Sequence, residues 1–139
     1  MGKTFLYRFF GKGKLPQHMA SLLEREEIVL CDEGIGGSVT YRNFRAPGRF
    51  YGWRREWFTG SAVLTRARFA AFSFSSPIIN IPLDDPRLGE LKCSIENEST
   101  FCVRFDPAIF HDGWSGTIEY RLSTPQAQRF VELLEEITA

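Results

Sequence analysis

Between Thr100 and Thr138 the chain changes its hydrophobic period once, and that change restricts its fold more than any other feature. In "TFCVRF" the side chains of Phe101, Val103 and Phe105 fall on one face and those of Cys102 and Arg104 on the other. In "TIEYRL" Ile118, Tyr120 and Leu122 oppose Thr117, Glu119 and Arg121, again with period two. The next stretch, "TPQAQRFVELLEEITA", has the helical period instead. Thr124 suits the N-cap, Pro125 suits the first turn, and Ala127, Phe130, Val131, Leu134 and Ile137 make one apolar stripe. Two half-buried strands that run into a single amphipathic helix call for a curled sheet whose open end the helix covers.

Upstream, further strand-length runs are separated by turn residues. "IVLC" ends at Asp32-Glu33-Gly34, which reads as a turn, and "SVTYRNF" ends at Pro47-Gly48. Arg49 to Trp57 is weighed as a strand, and "SAVLT" follows Thr59-Gly60 as a strand-length run of its own. "RFAAFSF", "IINIPL" and "LKCSI" follow, the last joined to "TFCVRF" through a polar hairpin. Ahead of them, Leu15 to Glu27 places Met19, Leu22 and Leu23 at helical spacing behind Pro16. The expected organisation is an N-terminal basic and aromatic segment with a helix over residues 1–26, then one compact domain over residues 27–139. That domain is mainly β with α: about seven antiparallel strands in two orthogonally packed sheets. The stripe of Phe130, Val131, Leu134 and Ile137 docks over one open end.

A chain of 139 residues, 43% hydrophobic and 24% charged, can bury a core of its own without metals or disulfides. No apolar run reaches the roughly 20 residues of a spanning helix. Arg8 interrupts the apolar N-terminal run and no small-residue cleavage site follows, so no signal peptide is read. Leu6 stands where a myristoylation signal needs Ser or Thr. Cys31, Cys93 and Cys102 are odd in number and widely spaced among strand residues. They read as reduced, structural thiols of a cytoplasmic protein, with too few ligands nearby for a metal site.

The run "GSAVLTRARFAAFS", then "INIPLDDPRLGEL", "TFCVRF" and "TIEYRLSTPQAQRFVELLEEI" resembles the pleckstrin-homology superfamily, in particular its GRAM-type members. The resemblance covers about residues 27 to 138. It implies a PH-like barrel or sandwich that works as a binding module without cofactor, for phospholipids or for protein partners. Lipid-binding members carry Lys and Arg in the loop between their first two strands. "CDEGIGGS" takes that place here, and its Asp32 and Glu33 would repel a phosphate.

The segment from Tyr41 to Ser61 concentrates arginines and aromatic rings against one acid, Glu56. Two readings of it stand side by side. In one, Tyr51, Trp53 and Trp57 share the inner face of a strand and the arginines are solvated over the rings. In the other, Arg42, Arg45, Arg49, Arg54 and Arg55 form a positive ridge beside exposed rings, and the partner surface is these five arginines with Trp53. Lys3, Arg8, Lys12 and Lys14, interleaved with Phe5, Tyr7, Phe9 and Phe10, suit an interfacial segment or an added strand and helix.

Catalytic motifs are weak. His111-Asp112 precedes Gly113 and reads as a turn that returns Trp114 to the core, and neither Ser73 nor Ser115 sits in a nucleophile elbow. Asp84-Asp85-Pro86 is turn chemistry, and "GKGKLP" lacks the spacing of a phosphate-binding loop. The expectation is a non-catalytic recognition module that binds a protein partner or self-associates. Peripheral binding to anionic phospholipid is the alternative, and a small hydrolase a distant third. A formal net charge of zero disfavours nucleic acid.

Overall fold

Proline and glycine set the first reversal of the chain. The computed structural model describes residues 14–138. In it β1, Ile28–Ala46, folds back on β2, Arg49–Thr65, through Pro47-Gly48, with Gly48 at a φ of 76° and Ala46 opposite Arg49. This hairpin is longer than the sequence suggests. The "DEGIGG" stretch is not a turn; it runs inside β1, and the register shifts between Glu33 and Ile35, where Gly34 has a φ of 69°. Thr59-Gly60 does not end a strand either. A Cβ on Gly60 would run into the Phe72 carbonyl oxygen, so this glycine permits a close approach of backbones.

Five more strands complete the sheet: β3, Arg68–Ser73, and β4, Ser76–Pro82, then β5, Lys92–Asn97, β6, Thr100–Phe105, and β7, Ser115–Ser123. Strand order is β4-β3-β2-β1-β7-β6-β5, and each neighbouring pair is antiparallel. The expected two separate sheets are therefore one hydrogen-bonded sheet. Long β1 joins them, pairing with β2 along its length and with β7 from Gly37 to Arg45.

Each face carries a helix. The C-terminal helix, Ala127–Thr138, buries Ala127, Phe130, Val131 and Leu134. The Phe130 ring stacks on Phe101 of β6 at 5.2 Å and lies 6.5 Å from Phe69 of β3. One ring thus bridges strands from both halves, which requires the sheet to curl around it. Ile137, expected in the same stripe, is 39% exposed and does not join the buried set. The N-terminal helix, Gln17–Arg25, starts and stops two residues inside its expected range and presses Leu23 onto Val63, Ala70 and Phe72 on the opposite face. We call these helices α1 (Gln17–Arg25) and α2 (Ala127–Thr138). The basic and aromatic residues expected to act before Leu15 lie outside the described residues, apart from Lys14.

Asp32 and Glu33 have structural roles. Asp32 Oδ2 accepts from the Thr124 hydroxyl at 2.6 Å, and Glu33 Oε2 accepts from the Leu15 N–H at 2.6 Å. They tie the chain ahead of each helix to β1. The expectation that they line a loop and repel a phosphate there is therefore corrected, because the strand leaves no loop at this point.

Candidate functional site

Strand alternation puts Ser38, Thr40 and Arg42 of β1, Trp53, Arg55 and Trp57 of β2, and Thr117, Glu119 and Arg121 of β7 on one face, cross-paired in register. This is the outer face of the sheet, away from α2. Trp57 is 75% exposed and Trp53 58% exposed. The reading that buries both rings in the core is therefore wrong. The hairpin carries them beyond the ground that α1 covers, and alternation alone cannot tell the wet face from the dry one.

A buried carboxylate organises the arginines here. Glu119 receives Arg42 Nε at 3.3 Å and Arg121 Nη1 at 3.1 Å, with Arg104 Nη1 at 3.9 Å. Burial alone would raise its pKa, but the hydrogen bonds and charges of Arg42 and Arg121 outweigh that and hold Glu119 below the ordinary carboxylate value. Arg121 also reaches Glu96 at 3.4 Å. Arg55 is held differently. Its Nε donates to the buried Thr40 hydroxyl at 2.9 Å, and its guanidinium lies 5.5 Å from the centre of the Trp53 ring. A guanidinium stacked on a ring and pinned through Nε keeps its two terminal nitrogens for an external acceptor. Beside it, Gly36, Gly37, Ser38, Arg55, Trp57 and Arg121 line a groove of about 430 Å³.

The expected surface is thus divided. Arg42, Trp53 and Arg55 meet on the outer face. Arg54 pairs with Glu56 at 2.8 Å and lies over the Tyr51 ring, which stacks with Phe44 on the inner side. Arg49 lies over Phe44 and Trp114, and Arg45 covers Phe50 at 4.5 Å, both beside the Pro47-Gly48 tip. Asn43, at a φ of 47°, and the register shift against β7 between Arg42 and Arg45 mark where the hairpin changes which side it turns inward. The residues missed were Trp57, Thr40, Glu119 and Arg121. Glu119 and Arg121 showed in the sequence only as the polar side of an alternating strand, and nothing local joins them to a residue some 80 positions earlier.

His111 stacks on Trp114 at 4.0 Å, and Gly113 has the φ of 82° that an Asp-Gly turn uses. Trp114 is half-buried, edge-on to Phe44. Among the described residues no three His, Cys, Asp or Glu side chains converge as metal ligands would. Among them also, no helix is long and apolar enough to cross a membrane. No family model matches the chain, and no curated protein matches its sequence.

Proposed function

We propose that this chain is a non-catalytic recognition module, pleckstrin-homology-like in build, that binds an acidic protein segment through the outer face of β1, β2 and β7. The meander order β4-β3-β2-β1-β7-β6-β5 and the closing C-terminal helix support the build. The observation that carries the function is Trp57, 75% exposed beside Arg55, which has no ion pair among the described residues. Exposed tryptophan and arginine together supply the apolar anchor and directed charge that protein partners use. Arg42, Arg55, Arg104 and Arg121 outnumber Glu96 and Glu119, so the favoured partner is acidic.

A second reading draws on the hairpin tip, where Arg45, Arg49 and Phe50 sit together, exposed, around Pro47-Gly48. That is the composition of a surface for anionic phospholipid. Two variants separate the readings. Arg55→Ser with Trp57→Ala removes the outer-face anchor, and Arg45→Ser with Arg49→Ser removes the tip charge. Selection from a displayed peptide library should recover acidic, apolar sequences that the first variant loses and the second keeps. Flotation with phosphatidylserine vesicles that the tip variant abolishes, with no peptide selected, would replace the first reading with the second.

A further inference from the structure

The sheet ends in two edges, and only one of them carries proline. Edge strand β4 carries Pro77 and Pro82, which cannot donate to a further strand. Edge strand β5, "KCSIEN", has no proline; its ladder with β6 is regular from Lys92 to Ile95 and shifts between Ile95 and Asn97, and all its residues are exposed except Cys93, which is half-buried. We propose that β5 pairs antiparallel with β5 of a second copy of this chain, about a two-fold axis at Ser94, extending the sheet through both molecules.

Charge sets that register. An antiparallel pair centred on Ser94 puts Lys92 of one copy opposite Glu96 of the other, twice over. Lys92 has no ion pair among the described residues and donates only to the Gly89 carbonyl at 3.5 Å. The Glu96 side chain is 39% exposed and, among the described residues, pairs only with Arg121, leaving room for a second cation. Both lie on the outer face, since Lys92 sits opposite Arg104 and Glu96 reaches Arg121.

The inner face of the same register agrees. Ile95 is 42% exposed there and would stand opposite Cys93 of the second copy. Cys93 lines a groove of about 240 Å³ between Leu91 and Leu134, into which that isoleucine can lean. A contact of one short strand is small, so the dimer is weak and reversible.

Sedimentation velocity on the full chain, from micromolar to millimolar, tests this pairing. The wild type should form dimers as concentration rises. Lys92→Glu sets its new carboxylate against Glu96 of the other copy, twice, and Glu96→Lys sets its new ammonium against Lys92, also twice. Each variant alone should dimerise about tenfold more weakly or worse. An equal mixture of the two restores opposite charges across the strand pair and should recover the dimer. Lys92→Glu breaks no ion pair among the described residues, so with its melting transition recorded it decides the matter even if Glu96→Lys folds poorly. A monomeric wild type, charge variants that dimerise normally, or a mixture that fails to recover would each overturn the pairing. Trp57→Ala should leave the dimer intact. If it alone abolishes the dimer, the copies meet through the tryptophan face and the β5 pairing is wrong. Failure of peptide selection, by contrast, leaves this dimer readout untouched.

Discussion

The Thr124 hydroxyl donates to Asp32 Oδ2 at 2.6 Å and also accepts from the Gln126 N–H at 3.1 Å. One fully buried side chain therefore joins the first strand to the start of the last helix, 92 residues away. Asp32→Ala should lower stability by about 1.5–3 kcal/mol, the range for losing a hydrogen bond to a charged group, read as a drop in the urea midpoint. An unchanged midpoint would mean that this link does not hold α2 in place.

Along α2 the cost of truncation should follow burial. Leu134 is 3% exposed, and Leu134→Ala should cost about 2–5 kcal/mol. Ile137, at the exposed end of the same stripe, should cost less than half as much when changed to Ala. Equal losses would contradict the docking of the helix described above.

Acid should loosen the outer face. Glu119 is held below the ordinary carboxylate value despite its burial, and Glu26 is also held low, chiefly by its hydrogen bonds from Arg68. A carboxylate with a depressed folded pKa adds stability that is complete above its unfolded value, about 4.3 for Glu, and is lost as pH falls through the folded value. Melting temperature should therefore fall as pH drops below about 4.3, and Glu119→Gln should flatten that fall while lowering the plateau at neutral pH. A variant as acid-sensitive as the wild type would show that Glu119 does not carry the effect.

Two thiols should be slow to react in the folded protein. Burial pushes the Cys93 pKa up to about 12, and burial also raises that of Cys102. Thiolate is the reactive form, so site-resolved alkylation near neutral pH should label both slowly until the chain is unfolded. Fast labelling of Cys93 in the native state would show that the strand pair β5–β6 opens readily.

Legibility in the sequence tracked how local the physics was. "TFCVRF" and "TIEYRL" read as half-buried strands because each alternates within itself, and they are β6 and the middle of β7. The α2 stripe was legible for the same reason, down to Thr124, which accepts from the Gln126 N–H as an N-cap residue would. "DEGIGG" misled because glycines beside acids usually mean a turn. Here Gly37 makes room for the Phe58 ring packed against it, a demand set by the partner strand. The division of the arginines was not legible at all, since Asn43 and the register shift beside it exist only once β7 is paired to β1.

The most direct test of the recognition surface is to melt and to bind the same variant, Arg55→Ser with Trp57→Ala, using an acidic peptide recovered with the wild type. Trp57 is 75% exposed, so its loss should stay within about 0.5 kcal/mol, and Arg55→Ser, which gives up the bond to the Thr40 hydroxyl, should cost no more than about 3 kcal/mol, while peptide binding is lost. Unfolding of that variant, or wild-type binding by it, would contradict a recognition face built on Trp57 and Arg55.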